Sequence, residues 1–361
     1  MSDDSPVDSR VRVLIVDDSA FMRTALSRMV SSEQGFVVAG TAISGTNALE
    51  KIETLDPDVV TLDVDMPGLD GLATLRCIMS RFPRPVIIVS AAAGKHSETA
   101  LEAMTAGAFD CVHKHLSKES LDVVHIRTDL IAKIRAAVMS RPWHASNVPA
   151  KKPPEPAGIE NRSTAFTPAV VAIAASTGGP TALQQILPRF PRDFDLPILI
   201  VQHMPRGASA LAEHLKATCA IPVREASDGE ALLPGVAYVA APGYHMHVAR
   251  RTSNSQIIIC QDSQPRDTLY IPSADVLMES VVEVFGAHSL GVVLTGMGTD
   301  GAKGITAIYR CGGFTIGQDE ASCAVYGMPR VCAQRGVLSR VAPLDDIVSE
   351  ILRLTHRRKF A

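Results

Sequence analysis

Acidic side chains follow two apolar runs in the first half of the chain. Asp17 and Asp18 come directly after Val11–Val16, and Asp63 follows Val59–Leu62. Because ligands of open α/β sheets bind at the carboxyl ends of the strands, we expect these carboxylates to converge. Carboxylate oxygens suit Mg²⁺, and a bound cation would neutralise an incoming phosphoryl group. The spacing therefore predicts a magnesium site at which Asp63 is phosphorylated.

Two further polar residues end apolar runs in the same half. Val86–Val89 leads into Ser90, and a shorter run at 111–113 ends at Lys114. Lys114 could pair with phosphoryl oxygens, and the Ser90 hydroxyl could donate a hydrogen bond to one of them. A single strand-end carboxylate is more often a solvated loop residue. The convergence of five suitable residues favours a phosphorylation site instead.

The second half places a serine after an apolar run. Val170–Ala175 leads into Ser176, with Gly178 and Gly179 close behind and an apolar helical pattern after them. Helix amides at this point would favour negative charge on a reacting oxygen, and the glycines would let a substrate approach the backbone. Phosphate or dinucleotide binding is the alternative, but the segment lacks the full G-x-G-x-x-G spacing and the Lys-Ser/Thr of a P-loop.

A serine nucleophile needs a base, and a histidine base needs a carboxylate to orient it. His203 closely follows the apolar run Ile198–Val201, and Asp300 lies just past Gly291–Thr295. Three strand ends thus predict a triad of Ser176, His203 and Asp300. Its order along the chain differs from that of α/β-hydrolases, and no G-x-S-x-G elbow is present.

Other histidines and carboxylates compete for roles in this half. His245 and His247 alternate along one strand pattern, but no carboxylate or cysteine spacing completes a zinc site around them. We interpret them as strand-face residues on the side of the active site. Asp262 and Asp275 are rival carboxylates, and Asp275 is expected to begin the helix Asp275–Phe285, where an acidic residue suits the helix dipole.

Strand and helix patterns alternate in both halves of the 361-residue chain. This alternation predicts an α/β protein with two doubly wound parallel sheets, the second with an inserted hairpin at 245–249 and 256–261. Proline punctuates residues 141–167, which have little apolar content and are expected to form a linker. The predicted domains are therefore 11–140 and 168–356.

Composition excludes several classes of function. The net charge of −3 gives no basic field for nucleic acid or anionic membranes, and no apolar run could span a bilayer. The polar, acidic segment Met1–Arg10 is not a signal peptide. Seven cysteines without a Cys-x-x-Cys pair indicate reduced thiols, so we expect a cytoplasmic protein.

The first half resembles the response-regulator receiver family. The matching stretches are VLIVDDS, TLDVDMPGLDGL, VIIVSA and the dipeptide HK at 113–114. The resemblance implies a flavodoxin-like receiver in which Asp63 is the phosphoacceptor and Asp17 and Asp18 form the acidic pair. It also implies Mg²⁺ as the cofactor, with the carbonyl of Asp65 as a third protein ligand.

Two positions depart from the receiver pattern. His115 follows the lysine, where the family usually has proline. Cys111 lies three residues before the lysine, where an aromatic switch residue is common, so the resemblance does not carry the aromatic switch over to this chain. Neither departure touches the phosphoacceptor.

The second half closely resembles the catalytic domain of the CheB family of chemotaxis protein-glutamate methylesterases. The motifs, between residues 169 and 356, are ASTGGP (175–180), QHMP (202–205), AYVAAPGYH (237–245), PSAD (272–275), LTGMGTDGA (294–302) and QDEASCAVYGMP (318–329). The resemblance implies a Rossmann-like domain with Ser176 as nucleophile, His203 as base and Asp300 as its partner. Thr177 and the backbone of Met297 become candidates for the oxyanion site.

By this resemblance, the chain is expected to hydrolyse glutamyl methyl esters of methyl-accepting chemotaxis receptors and to deamidate receptor glutamines. The phosphodonor would be a CheA-type histidine kinase. Mg²⁺ would serve only the receiver, and the esterase would need no cofactor. Two alternatives stay open: a phospho-regulated adaptor with a vestigial hydrolase site, and the same esterase in a receptor system that does not control motility.

Overall fold

The computed structural model describes residues 10–91, 99, 102–104, 106–114, 120–139, 166–204, 210–265 and 268–356. The chain divides into two units, Met1–Asn147 and Val148–Ala361. The proposed linker lies outside the described residues except for Phe166 and Thr167, and His115 also lies outside them. Within these ranges, no helix is both long and apolar enough to cross a membrane.

Five strands form a parallel sheet in the described part of the first unit. They are β1 (Val11–Val16), β2 (Phe36–Ala42), β3 (Val59–Leu62), β4 (Val86–Ala91) and β5 (Asp110–Lys114). The helices are α1 (Ala20–Ser31), α2 (Gly45–Leu55), α3 (Gly71–Arg81) and α4 (Ser120–Met139). Because the strand order is β2-β1-β3-β4-β5, the topology reverses at β1 and β3 and opens a crevice at their carboxyl ends.

Side-chain caps fix where the first three helices begin. Ser19 accepts a hydrogen bond from the backbone N–H of the third residue of α1, and Ser44 and Asp70 do the same for α2 and α3. Each cap satisfies an N–H group that has no partner within the helix. The caps of α1 and α3 begin these helices shortly after β1 and β3, beside the crevice.

The described part of the second unit contains a seven-stranded parallel sheet and a two-stranded antiparallel hairpin. The sheet strands are β6 (Val170–Ala175), β7 (Ile198–Gln202), β8 (Val223–Glu225), β9 (Ala237–Val239), β12 (Ser289–Val293), β13 (Phe314–Gln318) and β14 (Arg340–Ala342). The hairpin strands are β10 (His245–Arg250) and β11 (Ile257–Asp262). The order β14-β13-β12-β6-β7-β9-β8 places β6 at the topological reversal.

Helices cover this second sheet. They are α5 (Gly179–Ile186), α6 (Ala210–Lys216), α7 (Ala274–Phe285), α8 (Ala302–Arg310), α9 (Met328–Gln334) and α10 (Leu344–His356). Strands β6, β7 and β12 are buried at every residue, which explains why their sequences are mostly apolar and do not alternate between apolar and polar residues. The predicted fold class, two doubly wound α/β sheets with an inserted hairpin, is confirmed.

Some predicted details were wrong. Strand β12 runs from Ser289 to Val293, two residues earlier than the predicted Gly291–Thr295. The short strands β8 and β14 were not predicted, because three residues carry too little pattern to be recognised. Both lie at the edges of the sheet, so the arrangement of the central strands is unaffected.

Helices α7 and α8 pack closely at Gly304, which gives a test of the fold. A Cβ built on Gly304 would lie 2.4 Å from Cβ of Met278. Alanine should gain about 0.5–1 kcal/mol in helix propensity but lose about 1–3 kcal/mol to overpacking. We expect Gly304→Ala to lower the free energy of unfolding of the second unit by about 1–2 kcal/mol in urea titrations. Lys303→Ala, at the exposed neighbouring position, is the control. If Gly304→Ala were as stable as the parent protein, the close packing of α7 and α8 would be contradicted.

Candidate active site

In the first unit, Asp63 follows β3 and lies buried beside the end of β1. Its backbone N–H donates to the carbonyl of Val16 at 2.9 Å. Its Oδ2 lies 2.5 Å from Nζ of Lys114, and its Oδ1 accepts a hydrogen bond of 3.1 Å from the backbone N–H of Asp65. The same ammonium lies 2.8 Å from Oδ2 of Asp17. The structure therefore brings together Asp17, Asp63 and Lys114, three of the five residues predicted to form the phosphorylation site.

Burial and charge act in opposite directions on this group of side chains. Burial would lower the pKa of Lys114, but its hydrogen bonds with Asp17 and Asp63 outweigh burial and raise the pKa. Burial raises the pKa of Asp17, and the neighbouring Lys114 only partly opposes this effect. A second cation beside these carboxylates would be electrostatically favourable, because three carboxylates face one ammonium.

The predicted magnesium ligands lie close together. Carboxylate oxygens of Asp17, Asp18 and Asp63 are all within 4.8 Å of one another, and among the described residues this is the cluster that fits a metal ion. Asp18 is exposed, whereas the other two are buried. An all-oxygen donor set with an open side matches the preference of Mg²⁺, which usually keeps several waters.

Ser90 and Cys111 lie on the two strands beyond β3. Ser90 is fully buried inside β4 and not at its end, because the strand continues to Ala91. Burial raises the pKa of the Cys111 thiol to about 12, so it is a neutral side chain at ordinary pH. Its carbonyl accepts a hydrogen bond of 2.6 Å from Nζ of Lys133 on α4. Cys111 thus packs as a small hydrophobic residue where an aromatic residue is common.

In the second unit, Ser176 lies in the turn between β6 and α5. Its N–H donates to the carbonyl of Thr295 at 3.0 Å, and its own carbonyl accepts from the N–H of Gly179 at 2.7 Å. Gly178 has φ +75°, and a Cβ there would lie 2.5 Å from Cβ of Ala324. This turn therefore requires glycine, and it holds Ser176 at the carboxyl end of the central strand.

Gln202 connects the backbones of Ser176 and His203. Its Nε2 donates to the carbonyl of Ser176 at 2.9 Å and to that of His203 at 3.1 Å. A Cβ on Gly179 would lie 2.0 Å from Oε1 of Gln202, so the glutamine fits against the turn. The N–H of His203 also donates to the carbonyl of Ala175 at 3.1 Å. These bonds bring the predicted nucleophile and base together at adjacent strand ends.

His203 and Asp300 form a short hydrogen bond. Nε2 of His203 lies 2.7 Å from Oδ2 of Asp300, and both side chains are at least nine-tenths buried. Nδ1 of His203 is buried and has no hydrogen-bond partner among the described residues, so it makes no bond to Ser176 in this conformation. The ring of Tyr270 lies parallel to the imidazole, with ring centroids 4.0 Å apart.

The carboxylate of Asp300 also occupies the N-terminus of α7. It accepts hydrogen bonds of 2.7 Å from the N–H of Ala274, 3.1 Å from that of Asp275 and 2.7 Å from Oγ of Ser273. Burial would raise the pKa of Asp300, but the hydrogen bond and charge of His203, with those donors, lower it to about 2. Asp300 is therefore ionised at neutral pH, and Nε2 of His203 donates to it.

Asp275 accepts hydrogen bonds from the N-terminus of α8, much as Asp300 does from the N-terminus of α7. It lies in the first turn of α7, as predicted, and its Oδ1 accepts hydrogen bonds of 2.9 Å from the N–H groups of Lys303 and Gly304 at the start of α8. Burial, partly opposed by these hydrogen bonds, raises the pKa of Asp275 to about 6. Helices α7 and α8 thus each receive a carboxylate from the other's N-terminal region.

The two alternating histidines have different surroundings. His245 is fully buried, and it lies behind the candidate site, because its partner Ser273 also donates to Asp300. Its Nδ1 accepts a hydrogen bond of 3.1 Å from the N–H of Ser273, and its Nε2 lies 3.0 Å from the carbonyl of Pro265. His247 is partly exposed and lies 3.9 Å from Asp262. Neither belongs to a metal-binding cluster among the described residues.

The oxyanion candidates lie on both sides of Ser176. Thr177 follows it directly, and its carbonyl accepts a hydrogen bond of 2.9 Å from Oγ1 of Thr295. Gly296 lies against the nucleophile, since a Cβ there would be 2.7 Å from Cβ of Ser176, and Met297 comes next. In the described part of the chain, no residue accepts a hydrogen bond from the N–H of Thr177 or Met297.

The sequence predicted the triad residues but not those that hold them. Gln202, Ser273 and Tyr270 were not singled out, although Gln202 and Ser273 lie inside motifs that carry the family resemblance. Their contacts join segments that are far apart along the chain, and no local pattern reveals such contacts. The one available signal was the polar side chain of Gln202, which directly precedes His203 in the sequence.

Comparisons with known proteins match both units. The CheB methylesterase family profile matches residues 171–351, and the response regulator receiver domain profile matches residues 13–124. The chain is 42% identical to protein-glutamate methylesterase/protein-glutamine glutaminase 1 of Oleidesulfovibrio alaskensis, over 96% of this chain and 100% of that protein. It is 43% identical to the corresponding protein 2 of Nitratidesulfovibrio vulgaris, over 95% of this chain and 98% of that one.

A solved structure resembles the second unit. The crystal structure of the Thermotoga maritima CheB methylesterase catalytic domain aligns with 52% of this chain and 100% of its own length. The TM-score is 0.50, and the sequences are 34% identical. The likeness agrees with the doubly wound sheet described above.

The raised pKa of Asp275 predicts a dependence of stability on pH. Its folded pKa of about 6 exceeds the ordinary value of 3.8, so the stability that neutral Asp275 provides is present below pH 3.8 and is lost as the pH rises through about 6. We expect Asp275→Asn, whose amide oxygen can still accept both N–H bonds, to match the parent near pH ~4. Near pH ~7 it should be about 1–2 kcal/mol more stable, a value reduced for partial exposure.

Urea unfolding at the two pH values measures this difference. Asp195→Asn, at an exposed position, is the matched control and should follow the parent at both values. An Asp275→Asn variant that is less stable than the parent at neutral pH would contradict the prediction.

Proposed function

The chain belongs to the CheB methylesterase family, and we propose that it is a phosphorylation-regulated protein-glutamate methylesterase that demethylates methyl-accepting chemotaxis receptors in the cytoplasm. The proposed domains are a receiver at 11–140, a linker at 141–167 and a catalytic domain at 168–356. The proposed catalytic residues are Ser176 as nucleophile, His203 as base and Asp300 as its orienting partner.

The observation that carries this proposal is the hydrogen bond between His203 and Asp300. Nε2 of His203 donates to the Asp300 carboxylate at 2.7 Å, which leaves the lone pair of Nδ1 as the one that can accept a proton. That nitrogen is buried and has no partner in the described part of the chain. A general base needs such a lone pair, and the Asp300 carboxylate would stabilise the imidazolium that forms. Hydrogen bonds to a nucleophile often form only with substrate bound, which allows for the missing bond to Ser176.

Acylation begins when Oγ of Ser176 attacks the carbonyl carbon of the glutamyl methyl ester and transfers its proton to Nδ1 of His203. The tetrahedral intermediate carries its negative charge on the former carbonyl oxygen. It collapses as the C–O bond to the methoxy group breaks, and His203 returns the proton to that oxygen. Methanol leaves, and the glutamyl group stays bound to Ser176 as an ester.

Deacylation repeats these steps with water. His203 accepts a proton from the water, which attacks the acyl carbon, and then returns the proton to Oγ of Ser176. The products are the glutamate carboxyl group and free enzyme. With a glutamine side chain the same steps release ammonia in place of methanol, which gives the deamidase activity. Neither reaction requires a cofactor.

The N–H groups of Thr177 and Met297 are the proposed donors to the oxyanion. They flank Ser176, and no described residue uses either as a hydrogen-bond donor. Donors aimed at the developing charge stabilise the transition state more than the substrate, and removing one typically costs about 10²–10³-fold in rate.

In the receiver, Asp63 is the proposed phosphoacceptor from a CheA-type histidine kinase. An Asp63 oxygen attacks the phosphorus of the phosphohistidine, and the P–N bond breaks. Lys114 would pair with the phosphoryl oxygens, and the Ser90 hydroxyl would donate to one of them. Asp17, Asp18 and Asp63 would hold Mg²⁺, which would neutralise charge on the transferring group when bound.

Removing the nucleophile or the base should abolish ester hydrolysis. We expect Ser176→Ala and His203→Ala each to lower kcat at least about 10³-fold, and the double variant to be little worse, because the residues act as a unit. Asp300→Asn should lose less activity, since an orienting group is partly replaceable. Release of volatile methanol from receptors carrying labelled methyl esters measures the reaction.

Ser253→Ala, at an exposed serine on the hairpin turn, is the control and should keep full activity. Unchanged turnover in Ser176→Ala would exclude an acyl-enzyme on this serine. A parent protein that releases no methanol from any methylated receptor would favour the phospho-regulated adaptor.

Asp63 should be the single residue that accepts the phosphoryl group. We expect a small-molecule phosphodonor with Mg²⁺ to label the parent once, and Asp63→Asn to remove the label, because Lys114 and the acidic pair surround this carboxylate. Asp58→Asn, at the opposite end of β3, should be labelled like the parent. Intact-mass measurement reads out the label, and base-labile labelling that persists in Asp63→Asn would place the acceptor elsewhere.

A further inference from the structure

Tyr270 lies face to face with the imidazole of His203. The two ring planes differ by 6°, and their centroids are 4.0 Å apart. Tyr270 belongs to the segment between β11 and α7 and is half-buried. It therefore covers one face of the proposed base.

The residues that directly follow Tyr270 are held in place by contacts that do not involve the imidazole. The N–H of Gly243 donates to the carbonyl of Ile271 at 3.3 Å. Two residues further along, the N–H of Ser273 donates to Nδ1 of the buried His245 at 3.1 Å. Because the adjoining chain is anchored, the tyrosine ring can restrict the orientation of the group against which it packs.

Tyr270 also packs against the loop that carries Met297. A Cβ on Gly298 would lie 3.3 Å from the hydroxyl oxygen of Tyr270 and 3.8 Å from its Cε2. Gly298 has φ +92°, a backbone conformation that favours glycine. Both this conformation and the close approach of Tyr270 disfavour any side chain at position 298. The tyrosine ring thus lies between the imidazole and the loop of one proposed oxyanion donor.

We propose that Tyr270 is a positioning residue for His203, an inference that rests on the proposed role of His203 as the base. The bond between Nε2 and Asp300 fixes one edge of the imidazole, but rotation of this ring about χ2 is otherwise broad. A parallel ring against its face restricts that rotation and keeps Nδ1 in a fixed orientation. The contact is of the kind that stabilises aromatic pairs beyond the burial of their area.

The stacking should favour the transition state over the bound substrate. As Ser176 loses its proton, the imidazole becomes a cation above the face of the tyrosine ring, and aromatic faces attract cations. The interaction therefore strengthens during proton transfer. An interaction that is stronger in the transition state raises kcat and leaves KM nearly unchanged.

Two substitutions separate the ring from the hydroxyl. Tyr270→Phe keeps the stacked ring and should keep kcat within about twofold of the parent. Tyr270→Leu removes it and should lower kcat roughly tenfold, with KM within about twofold. Tyr244→Leu, which removes an exposed tyrosine from a neighbouring loop, is the matched control and should be parent-like. Thermal unfolding of each variant verifies that it is folded, and Tyr270→Met replaces the leucine variant if that one does not fold.

Nuclear magnetic resonance tests whether the two rings stack in solution. The ring current of Tyr270 should shift the ring protons of His203 upfield in the parent and in Tyr270→Phe, and the shift should disappear in Tyr270→Leu. Comparison with His203→Gln assigns the resonances. Resonances that do not move in the leucine variant, or a phenylalanine variant as slow as the leucine variant, would overturn the proposal.

The two readouts separate this inference from the proposed function. If the parent releases no methanol from methylated receptors, the proposed function fails, whereas the resonances still decide whether Tyr270 stacks on His203. If the parent is active and Tyr270→Leu is equally active, the function stands and the role of Tyr270 is refuted.

Discussion

The second unit depends on one buried carboxylate. Asp300 accepts hydrogen bonds from His203, from the Ser273 hydroxyl and from two backbone N–H groups at the start of α7. An isolated buried charge would be very unfavourable, but four donors and a helix N-terminus make this one stable. These donors lie directly after β7, just before α7 and in the first turn of α7, so the hydrogen bonds that keep Asp300 ionised require all of these segments to be folded together.

A second carboxylate makes this arrangement reciprocal. Asp275, at the start of α7, accepts from the first turn of α8, while Asp300, just before α8, accepts from the first turn of α7. The close contact at Gly304 places the two helix N-termini side by side, which is what allows the exchange. In the first unit, the buried carboxylates of Asp17 and Asp63 instead share one ammonium, that of Lys114.

The sequence predicted the fold class and the convergence of the polar strand ends, because both follow from hydrophobic periodicity and from the topology of parallel sheets. The positions of the strand ends predicted Lys114 beside Asp63 and, together with the family resemblance, His203 beside Asp300. It could not predict that Tyr270 would stack on the imidazole or that Gln202 would join two backbones, since such contacts depend on side-chain rotamers and on loop paths. The burial of His245 was missed because an alternating strand does not reveal which of its faces is covered.

The nitrogen of His203 that binds Asp300 determines how closely the proton acceptor is tied to the main chain. Asp300 engages Nε2, so the nitrogen left for Ser176 is Nδ1, the one nearer to the main chain. In the proposed mechanism, little side-chain length separates the base from β7, and β6 delivers the nucleophile from the adjacent strand. Neighbouring strands keep a nearly constant spacing because their backbones are hydrogen-bonded. A small sliding of one strand against the other would therefore change the proton-transfer distance directly, which makes the stiffness of the sheet a determinant of the reaction rate.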